Sequence, residues 1–306
     1  MAGPRVAIIV VTYNSADVLE GCLNSLSEGA QGTELAHVVI ADNNSRDESL
    51  KIAANATHLP IKIVELDRNA GYAAAINAGT EAVATDELDA VFVMNPDCRL
   101  RTGSLAVLAN SLTEDPRRGI TVPRLINPDG TLQPSLRRRP SLRRTAVEAL
   151  VGGRLAGRIG NLGELITDPK AYDVPRAAVW ATGAAMLISV VAMRQIGLWD
   201  ESFLLYSEET DFALRAADHG WSLWYEPSAL VEHIGGEAGT NPMLASLLIV
   251  NKVRLFRSRR GLLPGMLFYW AVVFGEGVRA LTGRATSKAA FMALVRPSRR
   301  IKVLAD

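Results

Sequence analysis

Val6-Ala7-Ile8-Ile9-Val10-Val11-Thr12-Tyr13-Asn14 is the stretch on which the fold turns. From Val6 to Val11 nothing polar interrupts the apolar run, the pattern of a strand buried on both faces of a parallel sheet. The run then stops at polar residues. Downstream, Val18, Leu19, Cys22, Leu23 and Leu26 recur at helical spacing within Ala16–Ser27. Further strands are expected at Val38–Ala41, Ile61–Leu66 and Ala90–Met94, and helices at Asp47–Ala56, Ala73–Ala84 and Thr102–Leu112. This alternation predicts an α/β fold, a Rossmann-like mixed sheet with helices on both faces.

Three of these strands run into polar clusters: Thr12-Tyr13-Asn14, Asp42-Asn43-Asn44-Ser45 and Asn95-Pro96-Asp97. All three fall at the carboxyl edge of the sheet, where α/β folds bind ligands. A dinucleotide site would need a glycine-rich turn after the first strand. Here Thr12–Asp17 holds no glycine, the next being Gly21, and the phosphate-binding loop of nucleoside triphosphatases is absent too. Thr12–Asp17 also lacks lysine and arginine, which argues against a nucleotidyltransferase that must grip a triphosphate.

Beyond Ile120 the periodicity loosens. Asn127-Pro128-Asp129-Gly130 is a turn. Residues 134–178, rich in arginine and glycine, are expected to form a long loop or a mostly helical insertion. Strand character returns over Val179–Val190, around Gly183. Ser207 is expected to cap a helix over Glu208–His219 that Gly220 ends. Leu223–Tyr225 and Ala229–Glu232 read as two short strands, and residues 242–260 as a helix. The expected organisation is a catalytic domain over 1–240, with a nucleotide-binding half (1–125) and an acceptor-binding half (126–240). A helical, partly apolar region over 241–306 follows it.

Asp97, just past a buried strand, suits a hard divalent cation whose other partners are phosphate oxygens. Asn95 offers a carbonyl beside it, and Pro96 fixes the backbone between them. His233, between a short strand and Gly235-Gly236, is the histidine placed to complement Asp97. Glu208 and Glu209 open a helix whose N-terminus favours negative charge, so both are expected to be ionised, as a general base must be. Asp211 stands at the spacing to pair with Arg215. Asp42 and Asn44 suit hydrogen bonds to a base or ribose. Asn69-Ala70-Gly71-Tyr72 supplies a turn and an aromatic face, and Asn77 projects from the next helix. Taken singly, each has an ordinary alternative as a turn, a cap or a surface group.

The chain has 306 residues, 48% of them hydrophobic, enough for a sizeable core. With 33 basic and 32 acidic residues it carries a net charge of +1, which argues against nucleic acid as a partner. Cys22 and Cys98 lie in no zinc-binding spacing and fit a reducing, cytoplasmic setting. Met1–Arg5 has none of the marks of a signal peptide. Gly261–Leu281 approaches the length of a membrane span, but Pro264, Glu276 and several glycines argue against one. Either it lies in a membrane interface, flanked by Arg259, Arg260, Arg279 and Arg284, or it packs on the protein or pairs subunits in a homodimer.

The ordered set resembles inverting glycosyltransferase family 2, of GT-A fold, over roughly residues 5–240. It comprises Val10-Val11-Thr12-Tyr13-Asn14, Asp42-Asn43-Asn44-Ser45-Arg46-Asp47, Asn69-Ala70-Gly71-Tyr72, Asn95-Pro96-Asp97, Gly183-Ala184, Leu198-Trp199-Asp200-Glu201-Ser202-Phe203, Glu208-Glu209-Thr210-Asp211 and His233. The resemblance implies that Thr12, Asn14 and Asp42 hold the nucleotide, with Asn69 and Gly71 beside the nucleotide and donor sugar. It implies a Mn²⁺ or Mg²⁺ ion held by Asp97 and His233, and Glu209 as the base. That base is aspartate in most of the family, so the extra methylene raises Asp211 as a sharer of the role. Asn95 replaces the first aspartate of the family's Asp-x-Asp motif, as in its rhamnosyltransferase-like branch. Pro123–Thr131 through Pro140-Ser141-Leu142 is similar to bacterial rhamnosyltransferases of cell-wall and surface-polysaccharide assembly. The implied donor is dTDP-L-rhamnose, and the implied acceptor a glycan or a sugar on a polyprenyl diphosphate. A UDP-sugar donor, and a subunit that binds nucleotide sugar without turnover, remain as alternatives.

Overall fold

The computed structural model describes residues 3–158, 160, 162–235 and 240–304. The first half alternates as expected: β1 (Arg5–Thr12), α1 (Ala16–Gly29), β2 (Glu34–Asp42), α2 (Ser49–Asn55), β3 (Ile61–Glu65), α3 (Tyr72–Glu81) and β4 (Ala90–Met94). Next come β5 (Cys98–Leu100), α4 (Ser104–Thr113), β6 (Arg118–Ile126), β7 (Leu136–Arg137), α5 (Leu142–Val151) and α6 (Gly153–Arg158). The remainder is β8 (Arg176–Ala178), β9 (Trp180–Ala181), β10 (Ala185–Ser189), α7 (Val190–Ile196), α8 (Glu208–Asp218), β11 (Ser222–His233), α9 (Pro242–Arg260), α10 (Leu262–Leu281) and α11 (Ala285–Val295).

The main sheet runs β3-β2-β1-β4-β10-β6-β11-β5, with β8 against β11. β1 pairs in parallel with β2 and β4, while β10 lies antiparallel to β4 and β6, so the sheet is mixed. Along β1, Ala7, Ile9 and Val11 enter one core, and Val6, Ile8 and Val10 the other. That two-faced burial is why Val6–Val11 carries no polar residue.

The second half departs from expectation in several places. β6 begins before the loosened region, and its Thr121 hides its hydroxyl on the Leu108 carbonyl at 3.1 Å. Val179–Val190 holds two strands, β9 and β10, broken at Gly183. Within 134–178, helices α5 and α6 share the segment with β7, which pairs with β9 in a small second sheet. Leu223–Tyr225 and Ala229–Glu232 are one strand, β11, whose register against β6 slips between Glu226 and Leu230. The turn at Asn127 holds, with the Gly130 N–H donating to the Asn127 carbonyl at 2.8 Å.

α9, α10 and α11 share a core of their own around Phe256 and Phe268, whose rings stack at 3.9 Å. Among the described residues, no helix is long and apolar enough to cross a membrane.

Candidate active site

In the register of β1 and β2, Thr12 faces Asp42. The buried Asp42 carboxylate ties these ends together, its Oδ1 accepting from the Thr12 hydroxyl (2.7 Å) and the Ser45 hydroxyl (2.6 Å), its Oδ2 from the Ser45 N–H (2.7 Å). Asn14 bridges the same two loops: its N–H donates to the Ser45 hydroxyl, and its Oδ1 accepts from the Arg46 N–H, each at 2.8 Å. Asn14 and Asn44 both take positive φ (47° and 63°), a conformation asparagine tolerates better than most residues.

A cavity of about 990 Å³ lies at this edge, lined by Tyr13, Asn14, Asn95, Asp97, Glu209 and His233, among others. Asp97 follows β4, and His233 ends β11. The two meet because β5 pairs antiparallel with β11, setting Cys98 opposite His233. His233 Nε2 stands 3.4 Å from Asp97 Oδ1, a buried oxygen with no hydrogen-bond partner among the described residues. Asp97 Oδ2 accepts from the Gly235 N–H at 2.8 Å. Burial pushes the Asp97 carboxyl up, but the His233 ring in its protonated form and that N–H outweigh it and hold it below the ordinary aspartate value. Gly236, the other glycine of the motif, lies outside the described residues.

Gln133 sets the imidazole. Its amide nitrogen faces the His233 carbonyl (3.3 Å) and Asn127 Oδ1 (3.1 Å), so its oxygen is turned to His233 Nδ1, 2.6 Å away. In the neutral ring Nδ1 then carries the proton, which leaves the Nε2 lone pair facing Asp97 Oδ1. Two electron-rich atoms held this close with no proton between them make a seat for a cation. The donor set of carboxylate oxygen and imidazole nitrogen accepts Mn²⁺ or Mg²⁺. Cys98 Sγ is near both. Burial pushes that thiol well above its ordinary value, and it donates to the Ala184 carbonyl at 3.2 Å, so it stays a thiol outside the seat.

Glu208 and Glu209 line the same cavity. Glu208 is buried and Glu209 half-buried, and the Oε2 of each is a buried atom without a partner among the described residues. The helix N-terminus does not decide their charge. Burial raises both, and the charge of Glu209 drives Glu208 further, well above the ordinary glutamate value. The pair therefore holds a proton more tightly than expected, with the stronger upward push on Glu208. Arg137, on the cavity wall, works against the rise at Glu209. Gly183 makes room, since a Cβ there would stand 3.3 Å from the Glu209 Cβ.

The turn before this pair is strained. Leu204, Tyr206 and Ser207 take positive φ of 62°, 67° and 78°. Ser207 is no side-chain cap; its carbonyl starts α8 by accepting from the Asp211 N–H at 2.8 Å. Asn251 of α9 holds the turn, its amide nitrogen lying 2.6, 2.9 and 3.2 Å from the carbonyls of Phe203, Leu205 and Tyr206. From the other side, the Tyr72 N–H donates to the Leu204 carbonyl at 2.9 Å. Gly71 permits that approach: its φ is 95°, and a Cβ would fall 2.0 Å from the Leu204 oxygen.

The sequence of the chain matches known proteins. The description "Glycosyl transferase family 2" fits residues 7–167, more than half of the chain. The chain belongs to glycosyl transferase family 2. This family member is 30% identical over 234 residues to the N-acetylglucosaminyl-diphospho-decaprenol L-rhamnosyltransferase of Mycobacterium tuberculosis, covering 74% of this chain and 75% of that one. It is 27% identical over 223 residues to a low-salt glycan biosynthesis hexosyltransferase of Haloferax volcanii, covering 69% of this chain and 61% of the relative. In fold it is similar to GalNAc-T7, solved with UDP, GalNAc and Mn²⁺ (TM-score 0.61, 16% identity, 95% of this chain), although it spans only 54% of that protein. It is also similar to a mannosyltransferase of Pyrobaculum calidifontis in complex with GDP-Man and Mn²⁺ (TM-score 0.58, 18% identity, 98% of this chain and 83% of that one). The protein is a glycosyltransferase-type enzyme of GT-A-like fold.

The glycosyltransferase site gathers some of the expected residues and not others. Asn14, Asn95, Asp97, Glu209 and His233 share the cavity; Thr12, Asp42, Asn44, Asn69, Gly71, Asn77 and Asp211 are not among its lining. Asp211 is turned to Arg215, 2.6 Å away, which also binds the carbonyls of Ile196 and Leu198. Asn77 spends both ends of its amide on Trp199 and on Glu201. Gln133, Arg137 and Asn251 escaped the sequence reading. Gln133 lies 100 residues from the histidine it orients, and no local spacing marks that pairing.

Proposed function

We propose that the protein is a metal-dependent, inverting rhamnosyltransferase. It moves L-rhamnose from dTDP-L-rhamnose to a hydroxyl of a glycan or of a sugar carried on a polyprenyl diphosphate, and works in the cytoplasm. The observation that carries the reading is one cavity holding an Asp97–His233 cation seat and an unpartnered Glu209 carboxylate. The choice of sugar rests on the similarity to the mycobacterial rhamnosyltransferase, which extends over three quarters of that protein.

In this mechanism Asp97 and His233 hold Mn²⁺ or Mg²⁺, which when bound offsets the charge that grows on the departing diphosphate. Asn14 and the Asp42-ordered loops line the nucleotide side. Glu209 accepts the proton of the acceptor hydroxyl. The hydroxyl oxygen then bonds to the anomeric carbon from the face opposite the diphosphate, the carbon–oxygen bond to the phosphate breaks, and dTDP leaves. Configuration inverts without a covalent enzyme intermediate. The upward push on Glu208 favours its neutral form, which adds no second negative charge beside the base.

The test is product formation with dTDP-L-rhamnose and with a panel of UDP-sugars, each with Mn²⁺ and with excess chelator, using a lipid-linked N-acetylglucosamine diphosphate as acceptor. Rhamnosyl product of inverted configuration, lost with chelator, supports the proposal. Turnover of a UDP-sugar alone would assign another donor, and donor binding without any product would leave a binding subunit.

A further inference from the structure

The C-terminal helices carry an apolar surface outside the lining of the candidate site. α10 is apolar on two sides. Phe268, Val272 and Val273 are buried against α9 and α11, whereas Leu263, Leu267, Trp270, Phe274, Val278 and Leu281 are exposed on the other side. These six recur at steps of four, three, four, four and three, which is a single helix face about 27 Å long. Trp270 and Phe274 are 59% and 56% exposed, unusual for such large apolar groups in a continuous row.

Charge indicates what covers this face. Residues 241–306 carry twelve lysines and arginines against Glu276 and Asp306, so this region is +10. As the whole chain is +1, the remainder is −9. Arg257, Arg260, Arg284, Lys288, Arg296 and Arg299 are exposed and make no ion pair among the described residues. An apolar stripe with a basic surround is complementary to a lipid surface with anionic headgroups. A second copy fits worse: two-fold pairing through this face would set two +10 regions together, and head-to-tail pairing would leave an identical face open on the next chain.

We propose that α10 lies flat on an anionic membrane surface, its exposed stripe at the acyl boundary and the flanking arginines and lysines among the headgroups. Phe256, Arg259 and Arg260 of the cavity wall end α9 just before α10 begins, which brings that wall near the docked helix. This docking is independent of which sugar is transferred.

The full chain would be mixed with vesicles of phosphatidylcholine alone, or of phosphatidylcholine with phosphatidylglycerol, both free of polyprenyl lipid, and separated by flotation. Binding to the anionic vesicles should exceed binding to the neutral ones about tenfold or more, and should fall at about 1 M salt, where screening acts within about 3 Å. Brominated acyl chains should quench Trp270 emission, an effect lost in Trp270→Phe. The pair Leu267→Glu with Phe274→Glu, both at exposed positions, should abolish flotation while leaving the melting temperature unchanged. No binding of the unaltered chain to anionic vesicles would overturn the proposal without recourse to any variant. A dimer in solution that the same pair of substitutions dissociates would also overturn it, giving the face to a second copy.

Discussion

Replacing Glu209 by glutamine keeps the shape of the side chain and removes its ability to take a proton. The Glu209 Oε2 has no hydrogen-bond partner among the described residues, so the amide enters without breaking a bond there. Stability should not suffer, because burial already disfavours the charge at this position. A positioned general base is worth about 10²–10⁴ in rate, so kcat should fall by that factor, about 2.7–5.4 kcal/mol at 1.36 kcal/mol per decade. Donor KM should stay within about threefold, since Asp97, His233 and Asn14 are untouched. Glu209→Asp retains the carboxylate but withdraws it by one carbon–carbon bond, about 1.5 Å, and should fall between the two. The assay is release of dTDP together with separation of the glycan product, and thermal unfolding of each variant controls for folding. A glutamine variant with kcat within about threefold of the unaltered enzyme would remove Glu209 as the base. A melting temperature several degrees lower would make the side chain structural instead.

Four further outcomes test the rest of the site. Gln133→Leu should weaken Mn²⁺ binding about 10–100-fold, read by the electron paramagnetic resonance of free Mn²⁺, because His233 loses the group that fixes its tautomer; unchanged affinity would break that link. Glu208→Gln should raise the melting temperature at alkaline pH and leave it unchanged at acid pH. Glu208 binds its proton more tightly when folded, so stability falls as pH rises from its ordinary value of 4.5 through its raised one, and a pH-independent difference would contradict this. For the same reason, with Glu209 also raised, the acid limb of the kcat profile should lie above the ordinary carboxylate range, and a limb at or below 4.5 would count against Glu209 as the titrating base. Asn251→Leu should cost about 1–3 kcal/mol in urea unfolding by stranding the carbonyls of Phe203, Leu205 and Tyr206, and should lower kcat more than donor affinity; loss of stability with full kcat would confine Asn251 to packing.

How far this site could be read from sequence depends on the distance over which each signal acts. β1 to β4 were legible because a strand buried on both faces must be apolar throughout, and the polar residues that end three of them lie along one edge by the geometry of parallel pairing. β5 was not, because three residues are too few to display any period, and yet this strand brings His233 to Asp97. The charge of the Glu208–Glu209 pair was misread since the local rule, that a helix N-terminus favours anions, competes with a burial that only tertiary structure sets, and burial is the larger effect. The turn before the pair gave no warning either. Leu204, Tyr206 and Ser207 adopt the left-handed region with no glycine among them, against their own preferences. Such a turn persists only if something distant holds it, and the holders are Asn251 in a helix outside the expected catalytic domain and the backbone after Gly71. The positions where local reading failed are thus those where long-range contacts impose strain or desolvation on the pair that lines the cavity. For that reason the C-terminal helices belong to the architecture of the site, and truncation before α9 should remove activity along with the strained turn.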